Sequence, residues 1–358
     1  MKINVLITAA GSAISQGILK AVKTSSLECN IITTDSHPYA AGLYRGKAGY
    51  LVPLARESNF IEQIVAVCNK ENVHAILIGT DYELSSFARN RETIEKETGA
   101  RVIVSPTPII DIADDKWLTH SFLVENNLPS IPSALRDTVD ELVEQEGFPL
   151  IVKPRIGDSS KDTFIVQNEK QLLDKLDCFL NGTSQNPYFT GPAESTGPII
   201  QKYLPNSEEE YTSTTVVLNG KSYGVLSLQR EMRFGGHTTK AVIDNFPFVN
   251  QTIERISEVL NPFGPCNFQS RLFDGIPHVF EINARFSGTT AICAQVGFNT
   301  VEACLRSVVL NQEIPKLSFR RGVMLRYFNE LFIPKGVIEK IDKEGSIQNP
   351  DSETNDSF

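Results

Sequence analysis

The chain has 358 residues, 41% hydrophobic and 22% charged, an ordinary globular balance with apolar material for a core of normal size. At ~100–200 residues per domain, that length suggests two or three domains, and the apolar material for a core rules out disorder for most of the chain. Lys and Arg number 34 against 43 Asp and Glu, a net charge of −9, which excludes the basic footprint of a non-specific nucleic-acid binder but not a few cations aimed at phosphates.

Residues 3–8 are apolar and β-branched and read as a buried first strand. Asn4 interrupts the run and a glycine turn follows it, which argues against a signal peptide. The turn carrying Gly11, Ser12 and Gly17 leads into Ile14, Ile18, Leu19 and Val22 at helical spacing. Residues 30–34 form a second strand ending at Asp35, and 50–53 another short apolar piece. A helix at 59–69, a buried strand at 75–79, a charged helix at 85–98 and a strand at 101–105 follow. Asp81 is read as the N-cap of the charged helix, with Asp81, Tyr82 and Glu83 facing an acceptor as the other reading. Strands alternating with helices predict a parallel, doubly wound sheet ending near residue 112.

Asp114, Asp115 and Lys116 open a further helix that stops near Pro129. Residues 137–146 read as a helix, 149–154 and 165–166 as strands, and 169–180 as a helix. The Gly-, Pro-, Ser-, Thr- and Asn-rich stretch 181–198 is a long loop, a length uncommon unless functional or mobile. Beyond it, 199–203, 210–218, 221–231, 241–244, 266–273 and 278–282 read as strands, with helices only at 249–260 and 298–310. That texture is α+β and antiparallel. From about residue 343 the chain is polar and acidic and is expected to be a disordered tail.

The six cysteines (29, 68, 178, 266, 293 and 304) form no C-x-x-C pair, so neither a zinc ribbon nor a thioredoxin-like motif is supported. Scattered cysteines fit a reducing cytoplasm, the expected location. The five histidines form no H-E-x-x-H or H-x-H pattern. No run of ~18 apolar residues exists, so no transmembrane helix is expected.

On a strand, Glu281, Asn283 and Arg285 share one face, while Phe280, Ile282 and Ala284 share the other. A carboxylate beside an amide oxygen suits Mg²⁺, a hard cation usually shared with phosphate; a guanidinium suits phosphate or carboxylate through its fork. The same pattern also fits a half-exposed strand with a solvated polar face. One strand earlier Asn267, Gln269 and Arg271 share a face, and a hairpin around Asp274 and Gly275 would bring Gln269 toward Glu281. Lys153 ends the apolar run Phe148 to Val152, either as a snorkelling strand end or as a phosphate ligand. The small polar loop Gly157 to Asp162 after it could fold its N–H groups over phosphates.

Taken in order, Lys116, the strand ending at Lys153 with its Ser/Gly loop, Gln201 to Leu204, the acidic patch before Tyr211, the Gln269 strand and the Glu281-Ile282-Asn283-Ala284-Arg285 segment resemble the ATP-grasp superfamily. Within it the chain is similar to a stand-alone version of one half of the carbamoyl-phosphate synthase large subunit, from residue 1 to about 332. The resemblance implies a pre-ATP-grasp Rossmann-like domain at 1–112, a small lid lobe with its linker helix at 113–198, a large metal-bearing lobe at 199–334 and a C-terminal segment at 335–358. It implies that Lys116 and Lys153 contact ATP phosphates. Gln201, Lys202, Tyr203 and Leu204 would form the hinge that reads adenine. Glu210 would hold the ribose, with Glu209 as a rival, and His237 would lie near the nucleotide or be an ordinary loop histidine. Gln269, Glu281 and Asn283 would hold Mg²⁺ or Mn²⁺, and Arg285 would face the transferred phosphoryl group.

The resemblance also has departures. The phosphate loop is poorer in glycine than the family's. The synthase's second arginine falls here on Gly288, which argues against bicarbonate or carbamate chemistry. Arg230, Arg233 and Lys240, around a glycine-containing turn, could hold an acidic substrate or be plain surface charge. The implied activity is an ADP-forming ligase that makes an acyl phosphate from a carboxylate and couples it to an amine or ammonia. Its partners would be small molecules, with no nucleic acid or membrane, and its assembly a homodimer. The rival readings are a catalytically silent ATP-binding protein and an NAD-dependent oxidoreductase. The latter meets an incomplete pyrophosphate turn, since Gly11 and Gly17 do not make G-x-G-x-x-G.

Overall fold

The computed structural model describes residues 2–157, 162–180, 197–205, 209–234, 237–327 and 329–350. The N-terminal unit runs β1 (Ile3–Ile7), α1 (Ala13–Thr24), β2 (Cys29–Asp35), β3 (Ala48–Leu51), α2 (Phe60–Glu71), β4 (Ala75–Leu77), α3 (Asp81–Thr98) and β5 (Arg101–Ile103). The strands pair in parallel in the order β3-β2-β1-β4-β5, which is the doubly wound sheet expected. Chain order reverses between β1 and β4, so a crevice opens beyond the carboxyl ends of these strands. Ser12 caps α1 there by accepting from Ser15 N at 2.9 Å, and its hydroxyl donates to Gly79 O at 2.6 Å. Gly79 is required by that approach: a Cβ would meet Ser15 Oγ at 1.7 Å and Thr8 O at 2.3 Å.

After α4 (Thr107–Asp114) and α5 (Lys116–Glu125) come β6 (Ser133–Ala134), α6 (Val139–Glu146), β7 (Leu150–Pro154), β8 (Phe164–Val166), α7 (Glu169–Leu180) and β9 (Pro198–Lys202). Their antiparallel sheet has the order β6-β9-β7-β8. β9 therefore belongs to this small lobe, and the lobe boundary expected at 198/199 falls after Lys202 instead. Leu150, Val152, Ile200 and Leu176 give the lobe a core of its own.

The large lobe contains β10 (Glu210–Leu218), β11 (Lys221–Phe234), β12 (His237–Ile243), α8 (Pro247–Leu260), β13 (Gly264–Phe273), β14 (Ile276–Asn283), α9 (Thr290–Gln295), α10 (Thr300–Cys304) and β15 (Gly322–Leu325). Its antiparallel sheet has the order β14-β13-β10-β11-β12-β15. One continuous core runs from Leu6, Ile76 and Phe87 of the first unit into Ile253, Phe268 and Ile282 of this lobe. Burying such side chains contributes ~1.5–3 kcal/mol each, which holds the first unit and the large lobe together.

The tail expectation is corrected at its near end. α11 (Lys335–Glu344) is followed by β16 (Ser346–Gln348), which pairs antiparallel with β3 and closes the edge of the first sheet. Val337, Ile341 and Ile347 pack against Leu43 and Tyr44, burial that a polar composition average conceals. Residues 351–358 lie outside the described residues. Among the described residues no helix is long and apolar enough to cross a membrane.

Candidate active site

The β13/β14 hairpin sets Gln269 opposite Glu281 and Asn267 opposite Asn283. Gln269 Nε2 donates to Glu281 Oε1 at 3.0 Å, and Asn283 Nδ2 donates to the same oxygen at 2.9 Å. The amide oxygens point to guanidinium groups: Gln269 Oε1 accepts from Arg230 Nη1 and Asn283 Oδ1 from Arg285 Nη2, both at 2.8 Å. One carboxylate and two amides are a hard, oxygen-bearing set that fits Mg²⁺, provided phosphate oxygens complete the coordination. Glu281 fits directly. Gln269 and Asn283 could ligate only by turning their oxygens away from the two arginines.

Arg285 follows β14 at the crevice of the first unit. Its Nε and Nη2 donate to Asp81 Oδ1 and Oδ2 at 2.8 and 2.9 Å, and its Nη1 to Phe286 O at 3.0 Å. Burial alone would lower its proton affinity, but Asp81 and Glu281 outweigh that and hold the guanidinium above its usual range. Asp81 is not the helix cap expected. Thr80 occupies that position, and Asp81, the first residue of α3, gives its carboxylate to Arg285.

From the small lobe, Lys153 on β7 reaches β14, its Nζ 5.8 Å from the centre of the Phe280 ring. A register shift between Gln269 and Ser270 leaves Phe280 unpaired, so Val279 and not Phe280 joins Ile282 and Ala284 in the core, against the simple alternation expected. Lys153 is 9% exposed, and among the described residues its ammonium meets no carboxylate or hydrogen-bond acceptor. Burial first, then the neighbouring Lys116 charge, push its pKa down to about 7, with Glu281 opposing. Lys116 Nζ donates to Arg155 O at 3.3 Å and Gly157 O at 2.9 Å, so it lies against the backbone that begins the expected phosphate loop. Asp115 caps α5 at Trp117 N and pairs with Arg155, fixing that corner. Residues 158–161 of the loop lie outside the described residues, as do 181–196 of the long loop.

In the segment expected to form the hinge, Gln201 is buried and its amide donates to Ser133 Oγ at 2.8 Å, while Lys202 pairs with Glu146 at 2.7 Å. Tyr203 N donates to Pro149 O at 3.3 Å, and Leu204 O accepts from Arg271 Nη1 at 2.6 Å. Glu210 is a buried counter-ion, 3.1 Å from Arg230 Nη1 and 2.5 Å from Arg271 Nη2. Its rival Glu209 is exposed and accepts the Tyr211 hydroxyl.

A cavity of about 170 Å³ gathers Gln269, Glu281, Arg285, Arg230 and His237 from the large lobe and Asp81 from the first unit. Lys240 does not line it and pairs instead with Glu231 on the sheet surface. The Arg233 side chain lies outside what the structure describes. Sequence reasoning missed Arg326, which lines this cavity and whose Nη2 donates to Gly288 O at 2.5 Å. No motif marks it; only pairing of β15 with β12 brings it there.

A parallel sheet followed by two antiparallel lobes, with a buried lysine from the small one set over a carboxylate strand of the large one, defines the ATP-grasp class. The chain belongs to the ATP-grasp superfamily. Residues 5–103 match the family described as "PylC-like, N-terminal domain", and residues 195–330 that described as "ATP-grasp in the biosynthetic pathway with Ter operon". Within the superfamily the chain partly resembles the carbamoyl phosphate synthase large chain of Sulfolobus acidocaldarius, with 25% identity over 268 residues. That match covers 70% of this chain but 24% of the relative, so the chain spans about a quarter of the relative's length. The biotin carboxylase domain of Hydrogenobacter thermophilus 2-oxoglutarate carboxylase, solved as a dimer with MgADP, ADP and bicarbonate, superposes with a TM-score of 0.69 at 13% identity. It covers 89% of this chain and 73% of that one. N5-carboxyaminoimidazole synthetase from Staphylococcus aureus, complexed with ADP, gives 0.67 at 15% identity over 91% and 82% of the two chains. At those identities the solved structures speak for the fold alone.

Proposed function

We propose that the protein is an ADP-forming ligase that activates a carboxylate as an acyl phosphate and couples it to an amine or ammonia. The observation that carries this is Lys153, a nearly buried cation of the small lobe without a counter-ion among the described residues, held over the strand bearing Glu281, Asn283 and Arg285. A lysine kept there at the expense of its hydration calls for a polyanion between the lobes.

In this reading ATP lies between the lobes. Lys116 and Lys153 contact its phosphates, Leu204 lines the base, and exposed Glu209 is better placed than ion-paired Glu210 to hold ribose hydroxyls. Mg²⁺ on Glu281, with Gln269 and Asn283 beside it, would neutralise the phosphates when bound. A substrate carboxylate oxygen bonds to the γ-phosphorus, and the bond to the β-phosphate oxygen breaks with its electron pair leaving on ADP. Arg285 faces the migrating group, oriented by Asp81. The amine nitrogen then attacks the acyl carbon, the C–O pair leaves with phosphate, and the nitrogen gives up a proton. The residues position reactants and balance charge, so no side-chain nucleophile is needed. A homodimer remains part of the proposal.

ADP release from Mg·ATP is the test, with pooled amino acids, sugar acids, diacids and arylalkanoic acids, each with and without amines and ammonium. Acceptor-dependent ADP that disappears in Glu281→Gln supports the ligase. ATP binding without acceptor-dependent ADP across all pools refutes it in favour of a silent nucleotide-binding protein.

A further inference from the structure

We propose that the acid this protein activates is bulky and carries an apolar or aromatic body, and that its carboxylate docks on Arg326 at the neck between two cavities. The proposal deepens the ligase reading and rests on it for the fate of that carboxylate.

The first observation is an unmatched cation. Arg230, Arg271 and Arg285 around the site each have a carboxylate partner. Arg326 has none among the described residues; its one side-chain bond there is to the Gly288 carbonyl. The backbone holds it firmly, since Arg326 N donates to Thr239 O at 2.8 Å and extends the pairing of β15 with β12. The side chain is half-buried, and burial alone pulls its proton affinity down. A half-buried guanidinium that faces a cavity without a counter-ion favours an anion arriving to pair with it.

The second observation is the space on its other side. Ala13, Gly288 and Arg326 line both the 170 Å³ cavity that holds Glu281 and Arg285 and a neighbouring chamber of about 730 Å³. That volume falls in the ~300–1,000 Å³ range of organic-ligand sites and is far more than bicarbonate or ammonia fills. Its wall presents Tyr39, Tyr327 and Phe332, left 71%, 72% and 67% exposed, with Lys20, Arg45 and Glu330 also on its lining. Three large, exposed aromatic side chains on the lining of one cavity favour an occupant with an apolar body beside its charged group. An acid seated with its body there and its carboxylate on Arg326 presents that carboxylate to the cavity containing Arg285.

The test uses the full chain without nucleotide. Ligand-observed NMR titrations compare phenylacetic, phenylpropionic and phenylbutyric acids with their primary amides, on wild type, Arg326→Met and Arg326→Lys. At least one acid should bind saturably and about tenfold more tightly than its amide, the effect of a charge-assisted hydrogen bond. In Arg326→Met the preference should collapse with amide affinity unchanged, which also reports an intact chamber, and Arg326→Lys should restore part of it. Failure of all the acids to bind, equal binding of acids and amides by wild type, or a preference that survives in Arg326→Met would each overturn the proposal. Because no ATP is present, the two readings separate. An intact preference without acid-dependent ADP release upholds the docking site and removes the ligase. Acid-dependent ADP release with no preference keeps the ligase and removes the docking site.

Discussion

Asp81 and Arg285 form a two-point ion pair, at 2.8 and 2.9 Å, that ties the first turn of α3 in the N-terminal unit to the end of β14 in the large lobe. Every nitrogen of the Arg285 guanidinium is engaged by Asp81, Asn283 or a main-chain carbonyl. Its orientation is therefore set before any ligand arrives.

Asp81→Asn keeps the shape and removes the charge. Arg285 then loses its bidentate anchor, and we expect ADP formation to fall about tenfold or more in kcat with KM for Mg·ATP within about threefold, the pattern of a lost positioning contact. Steady-state ADP release checks this. A change confined to KM would place Asp81 in ground-state nucleotide binding instead.

Glu281→Gln removes the one carboxylate of the Gln269–Glu281–Asn283 cluster. Acceptor-dependent ADP formation should drop by at least about 100-fold, since the amide holds Mg²⁺ poorly where phosphate charge develops. Far-UV circular dichroism should not change. Retention of more than a tenth of the activity would move the metal site elsewhere.

Lys153 carries a pH signature. Its folded pKa, pushed down to about 7, lies below its ordinary value of 10.5, so between these pH values the unfolded chain binds more protons than the folded one. Stability of the free protein should therefore rise with pH from about 7 toward 10, and Lys153→Met should flatten that part of the profile. Phosphates arriving beside Lys153 raise its pKa again, so Mg·ATP binding at pH 8 should take up a proton. Calorimetry in buffers of different ionisation enthalpy reads this directly; equal uptake by wild type and Lys153→Met would remove Lys153 from the phosphate site.

Glu210 sits 5% exposed between Arg230 and Arg271. Glu210→Gln leaves two buried guanidinium groups facing each other and should cost about 3–5 kcal/mol of stability. Urea unfolding of the variant beside wild type measures it. A cost below about 1 kcal/mol would mean that the carboxylate is there for a ligand and not as a counter-ion.

Much of the site was legible because strand alternation is local. The period of two puts Glu281 and Asn283 on one face, and a tight hairpin brings Gln269 across, so three neighbouring polar groups follow from spacing alone. Glu209 and Glu210 could not be separated that way. Which carboxylate enters the core depends on the arginines that strands β11 and β13 bring to it. Lys240, chosen as a cation near a turn, points to Glu231 because its position along β12 sets its face. β16 was missed because its burial depends on an edge strand some 300 residues earlier in the chain, Tyr50 opposite Ser346.

What the sequence determined by itself is the order of units, the parallel character of the first and the polar face of β14, because hydrophobic period and turn chemistry act over a few residues. Tertiary structure alone decided that Asp81 belongs to Arg285, 204 residues away, and that Arg326 lies at Gly288. Such pairings depend on how sheets pack and which strands become neighbours, and a local pattern carries no information about a partner that only the fold brings within hydrogen-bonding distance.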